Sequence, residues 1–139
     1  MSNRQKTSPA HSRRKKASEQ ADAFTGKIVL EPKLQEIVRL RVAQICNSQL
    51  GIEVHTEALK AQGESSERIQ QLKSWRESLL YDERERAALA VSEALGSDPP
   101  QSVSKDIVHK ARAHFKDGEI IQLALTIFAV TDWNYLCAH

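Results

Sequence analysis

Cysteine, glycine, proline and aromatic residues are all scarce in this 139-residue chain, at two, five, four and 5% respectively. The two cysteines, Cys46 and Cys137, lie far apart with no partner motif around them. That excludes a disulfide scaffold and points to a reducing, cytoplasmic compartment. Five glycines and four prolines are too few for a β-sandwich, which needs turn residues every ten residues or so. No apolar run follows the basic start, so no signal peptide is expected, and no stretch is apolar enough for a membrane span. What remains, at 40% apolar and 27% charged, is the composition of an ordinary globular domain with one core, which excludes collagenous and fully disordered chains.

The net charge of +2 conceals a split. Residues 1–16 carry six basic side chains and no carboxylate, leaving 14 basic against 18 acidic residues in the remainder. Residues 1–18 lack apolar periodicity and are expected to be a disordered basic tail, with residues 19–139 forming the helical domain. The Arg13–Lys16 cluster could contact nucleic acid or another anionic surface. Its lack of interleaved aromatics argues against stacking on bases and favours a solubilising tail.

Apolar residues then recur at helical spacing. Leu34, Ile37, Val38, Val42 and Ile45 make one face of a helix that starts at Pro32, with Arg41 inside that face. An arginine there either snorkels over an edge or meets a buried carboxylate. A second helix is expected from Ile52 to Gln62 with Gly63 just past its end, and a short one from a Ser65 or Ser66 cap to Trp75. Asp82 opens a helix ending at Gly96, Asp98-Pro99-Pro100 forces a loop, Ser104 begins another helix, and Asp117 caps the last. No segment alternates like a strand, so the fold class is all-α, with about six helices. From Ile120 to Cys137, 13 of 18 residues are apolar or aromatic and lie on all sides. Such a helix is expected to be fully buried, part of it against another subunit.

The densest polar cluster lies at the first helix–helix junction: Glu36, Cys46, Asn47, Ser48, Glu53 and His55. A carboxylate that orients a histidine beside a nucleophile is the general-base arrangement of thiol and hydroxyl catalysis. A lone histidine near a helix start is more often a surface or capping residue, so this reading needs the junction to fold tightly. His109 and His114 are poorly aligned on their helix, and no metal site or cofactor site is expected.

The segments RLRVAQICNSQLGIEVHTEALKAQGES and LKSWRESLLYDERERAALAVSEAL, followed by ARAHFKDGEIIQLALTIFAVTDWNYL, resemble the carboxymuconolactone decarboxylase family in its alkylhydroperoxidase D-like branch. The resemblance runs over about residues 30–136. It implies an alkylhydroperoxidase D-like helical bundle, a homo-oligomer (trimer or hexamer), and hydroperoxide reduction in antioxidant defence with a dithiol reductant as partner. In that branch the site is a glutamate, a Cys-x-x-Cys pair and a histidine, whose positions here are Glu36, Ser48, Gly51 and His55. Both redox cysteines are therefore replaced. Serine forms no sulfenate and glycine has no side chain, so the dithiol mechanism has no redox atoms at these positions.

Cys46 is the possible substitute thiol, although two residues before Ser48 it points about 200° away on a continuous helix. It reads as a buried structural cysteine, and Cys137 reads as packing. The family's extra helical segment before Leu30 is expected to be replaced by the basic tail. Three other readings stay open: a cofactor-free lactone decarboxylase-like enzyme using His55 and Glu36, a non-catalytic oligomeric partner of an active homologue, and a nucleic-acid binder through the tail.

Overall fold

In the computed structural model, residues 30–97 and 101–138 are described. The expected tail, its boundary with the domain and the Asp98–Pro100 loop lie outside them, as does the packing of the Cys137 side chain. Six α-helices follow one another: α1 (Pro32–Ile45), α2 (Gln49–Ala61), α3 (Ser66–Gln71), α4 (Glu83–Gly96), α5 (Lys105–His114) and α6 (Asp117–Ala138). A 3-10 segment, Leu72–Glu77, joins α3 to the turn before α4. The described residues contain no strand, as the periodicity predicts.

Local chemistry sets most boundaries. Pro32 opens α1, where its missing N–H is no loss. Asn47, with φ of 54°, reverses the chain in the left-handed region that asparagine tolerates better than most residues. Ser48 then caps α2, its hydroxyl accepting the Gly51 N–H. At the far end Gly63 takes φ of 81°, and the N–H groups of Gly63 and Glu64 bond Lys60 and Leu59 carbonyls, closing α2. Asp82 and Glu85 make a reciprocal capping box on α4, and Ser104 caps α5.

Two expectations shift. Asp117 is the first residue of α6 rather than its cap, and Glu119 reaches back to the Lys116 N–H. The single helix expected to Trp75 breaks at Gln71 into the tighter 3-10 turn, with Ser74 out of helical geometry. That turn carries the Trp75 side chain inward, where its indole N–H reaches Glu93.

Helix α1 is the central element because it is apolar on two sides. Leu34, Val38 and Val42, four residues apart, pack with Ala87, Ala88 and Val91 of α4 and Leu123, Ile127 and Val130 of α6. Ile37 and Leu40 face a second cluster with Leu59, Leu72, Trp75, Tyr81 and Leu89. The small residues of α4 let it approach closely; a Cβ on Gly96 would lie 3.4 Å from the Val42 side chain. Arg41 is paired with a carboxylate, Glu93 on α4, at 3.0 Å.

Within the single chain, helix α6 is buried along one side. Leu123, Ile127 and Val130 are buried, whereas Leu125, Phe128 and Trp133 are about half exposed. The reason is geometric: among the described residues, α1, α4 and α5 pack against the side of α6 that carries Leu123, Ile127 and Val130. No helix among the described residues is long and apolar enough to cross a membrane.

Candidate acid–base site

The three-residue junction Cys46–Ser48 turns α2 back along α1 and brings distant positions together. Glu36, in the first half of α1, meets His55, near the middle of α2, with Oε2 2.9 Å from Nδ1. The other carboxylate oxygen accepts from Arg39 Nη1 at 2.6 Å, and Arg39 Nη2 donates to Gln35 Oε1 at 3.2 Å. Glu36 and His55 are mostly buried, with side chains 13% and 17% exposed. An ionised carboxylate can only accept, so Nδ1 carries the proton in the neutral imidazole and Nε2 keeps its lone pair. Among the described residues Nε2 makes no hydrogen bond to protein.

A pocket of about 350 Å³ opens beside this pair, between α2 and α6. Leu50, Val54, Ala129, Val130 and Trp133 form its apolar walls; Arg39 and His55 supply the polar groups, and Gly51 lines it between them. A concave apolar site with a few convergent polar groups is the usual form of a small-molecule site.

The other residues of the sequence cluster are spread over separate tasks. Ser48 does not line the pocket, and its hydroxyl is committed to the α2 cap. Gly51 does line it, and carries no reactive atom. Cys46 lies on the opposite side of the junction, its Sγ 3.7 Å from the Gly96 carbonyl and packed against the first core cluster. Asn47 forms the chain reversal, and Glu53 bonds Gln49 on the exposed face of α2. Arg39 was not read from the sequence as part of the site. Its spacing of three from Glu36 on one helix is the signal that could have found it.

A second polar cluster lies away from the pocket. The Glu93 carboxylate accepts from Arg41 Nε and Nη2, Trp75 Nε1 and Arg76 Nη2, tying α1, the 3-10 segment and α4. Burial alone pushes its carboxyl up. Hydrogen bonds from Arg76, Trp75 and Arg41 outweigh that and hold it below its ordinary value. Arg68 likewise ties α3 to α4 through Glu64 and Glu85, beside Tyr81, whose phenol burial pushes up to about 12. These clusters hold the bundle around the site.

An all-α bundle with a carboxylate–histidine pair across its first hairpin defines a class, and comparison with known proteins identifies the family. The model of the carboxymuconolactone decarboxylase family matches residues 16–94, and the chain belongs to that family. The match starts upstream of residue 30.

The chain is 28% identical over 113 residues to the uncharacterized protein YdfG of Bacillus subtilis (strain 168), covering 81% of this chain and 77% of YdfG. It is 28% identical over 98 residues to the uncharacterized protein YnjA of Escherichia coli (strain K12), covering 70% of this chain and 53% of YnjA. The crystal structure of ATU0492 from Agrobacterium tumefaciens is similar, with a TM-score of 0.77 and 26% identity over 99% of this chain and 94% of that one. ATU0492 is a protein of unknown function, described as a candidate antioxidant defence protein of the AhpD kind. The bundle is therefore AhpD-like.

Proposed function

We propose that this chain is an enzyme that moves a proton on a small, mainly apolar substrate, with His55 as the acid–base group and Glu36 as its orienting partner. The observation that carries this reading is the 2.9 Å Glu36–His55 contact beside an apolar pocket of about 350 Å³. Nε2 takes a proton from a substrate carbon or a bound water and returns it later in the cycle. The Glu36 carboxylate stabilises the imidazolium that forms in between. Arg39 engages the second carboxylate oxygen and so fixes the plane in which Glu36 presents the first. The apolar walls exclude water, which strengthens these electrostatic interactions. The resemblance to lactone decarboxylases makes an unsaturated lactone acid the first substrate to try.

The likeness to ATU0492 supports a second reading, hydroperoxide reduction in antioxidant defence with an external dithiol. Cys46 is the thiol nearest the junction in sequence that could serve it, because Ser48 and Gly51 have no sulfur. The contact of Cys46 with the Gly96 carbonyl, on the far side of the junction from the pocket, weighs against it. The two readings separate in one set of assays on the full chain. Solvent-deuterium exchange into an unsaturated lactone is followed by NMR, and loss of an organic hydroperoxide is followed with a dithiol present. Exchange that falls by roughly 10²–10⁴ in His55→Gln and survives Cys46→Ser supports proton transfer. Hydroperoxide turnover that Cys46→Ser abolishes refutes it in favour of a one-cysteine peroxidase.

A further inference from the structure

Two pockets flank α1, and the larger lies away from the acid–base pair. Arg39 and Arg41, two residues apart on α1, point about 200° from each other. Arg39 lines the acid–base pocket, and Arg41 lines a cleft of about 440 Å³ between α1, α4 and α5. The cleft joins an apolar part, Ile45, Ala90, Ala94 and Ile107, to a charged part, Arg41, Arg76 and Glu93.

Hydrogen bonds in the charged part are used unequally. Glu93 accepts four, from Arg41 Nε and Nη2, Trp75 Nε1 and Arg76 Nη2, which matches the roughly four acceptor sites of a carboxylate. Among the described residues Arg41 donates three of its five N–H groups, two to Glu93 and one to Gln44, and Arg76 donates one of five. Guanidinium donors are therefore left over where acceptors are not, and two cations stand against one carboxylate. Both guanidiniums are also fixed before any ligand arrives. Glu93 and Gln44 hold Arg41, while Glu93 and the Trp75 ring, its centroid 4.3 Å from Cζ, hold Arg76.

We propose that this cleft is a second binding site, for a small organic anion whose single carboxylate or phosphate pairs with Arg41 and Arg76 while its apolar body rests on Ile45, Ala90, Ala94 and Ile107. A cationic ligand meets excess positive charge and a carboxylate already occupied. A neutral one leaves the guanidinium donors without a charged partner. The planar guanidinium fork matches carboxylate and phosphate alike, so the two groups share this chemistry. The volume falls in the range of small-molecule sites, about 300–1,000 Å³. The site stands independently of the reaction assigned to the Glu36–His55 pocket, from which α1 separates it.

The two tryptophans report on the two pockets separately, because Trp75 Nε1 donates to Glu93 at the cleft and Trp133 lines the acid–base pocket. The full chain is titrated with benzoate and with phenyl phosphate, and the indole N–H signals are followed by proton–nitrogen NMR. Benzamide serves as the neutral isostere, and Trp133→Phe assigns the signals. Either anion moves the Trp75 signal saturably, and the tighter one identifies the acid group the site prefers. Benzamide binds roughly 10–100-fold more weakly, through the loss of charge-assisted bonds. Arg76→Gln, at a half-exposed position, weakens both anions about tenfold or more with unchanged far-UV circular dichroism. Arg41→Lys, which keeps the charge and loses the fork, is the second variant and weakens them as well. His55→Gln leaves the binding unchanged. Anions that move the Trp133 signal instead, or whose binding His55→Gln abolishes, belong to the acid–base pocket and overturn the proposal. Benzamide as tight as benzoate, affinity that survives both arginine variants, or a Trp75 signal that never saturates overturns it too.

Discussion

Glu93 carries more of the bundle's stability than its position on a partly exposed helix face suggests. Its Oε1 accepts from Trp75 Nε1 at 2.9 Å and from Arg41 Nη2 at 3.0 Å, and its Oε2 accepts from Arg76 Nη2 at 2.8 Å. In Glu93→Gln an amide oxygen can still serve the indole and Arg41, but an NH₂ group replaces the oxygen facing Arg76. Arg76 is half exposed and turns into water at small cost, about 0–1 kcal/mol. Arg41 is only 17% exposed and exchanges a charged acceptor for a neutral one, a loss of about 1–2 kcal/mol. The expected total is about 2 kcal/mol. Glu93→Ala also strands the buried Trp75 N–H, and about 3–4 kcal/mol is expected there.

The pH dependence follows from the lowered carboxyl of Glu93. Burial raises it, and the bonds from Arg76, Trp75 and Arg41 lower it further than burial raises it, to below the ordinary value of 4.5. A group depressed in the folded state binds more protons when unfolded, so its stabilisation is complete above the unfolded value and is lost as pH falls through the folded one. The difference between wild type and Glu93→Gln is therefore full at neutral pH and shrinks below about pH 4.5. Urea unfolding followed by far-UV circular dichroism at neutral and acid pH measures it. A gap under about 0.5 kcal/mol at neutral pH, or one that stays constant into acid, refutes the reasoning.

Other outcomes are expected from the same contacts. In the wild type, nitrogen-resolved NMR finds neutral His55 protonated on Nδ1, and Glu36→Gln loses that fixed tautomer; a wild-type proton on Nε2 contradicts the proposed base. Leu123 of α6 is fully buried in the core cluster it shares with α1 and α4, so Leu123→Ala costs about 2–5 kcal/mol in chemical denaturation, and a loss below about 1 kcal/mol means the site collapses or is looser than described. Asp82→Ala removes one half of the α4 capping box and costs about 0.5–2 kcal/mol by the same assay; no change would show the cap is replaced. Ser48→Cys/Gly51→Cys places thiols at the family's redox positions and is expected to gain dithiol-dependent hydroperoxide turnover. Inactivity of that variant with both thiols titrated as free would show that the pocket no longer supports peroxidase chemistry.

Glu36 and His55 were legible as members of one polar cluster and, through the resemblance to the family, as a pair, although nothing local in the chain dictates that residues 19 apart should touch. Arg39 was legible in principle from helical spacing, yet its place at the pocket follows from α6 closing the other wall. Arg41 posed a sequence-level choice between an exposed head and a carboxylate partner. Glu93, 52 residues away, resolved it. Ser48 shows the reverse case: a residue that the resemblance matches to a redox cysteine is occupied by helix capping, an interaction within three residues.

The sequence by itself determined where the helices begin and end, since Pro32, Ser48, Gly63, Asp82 and Ser104 act on backbone groups within a few residues of themselves. It also determined what the site lacks, for no packing can supply sulfur to Ser48 or Gly51. The tertiary structure alone decided that Glu36 reaches His55 at hydrogen-bond distance, which side of the junction receives Cys46, and which side of α6 packs on α1, α4 and α5. Hydrophobic periodicity states how much of a helix avoids water. Which neighbour covers each face depends on how α1, α2, α4 and α6 pack across distances that no local pattern encodes.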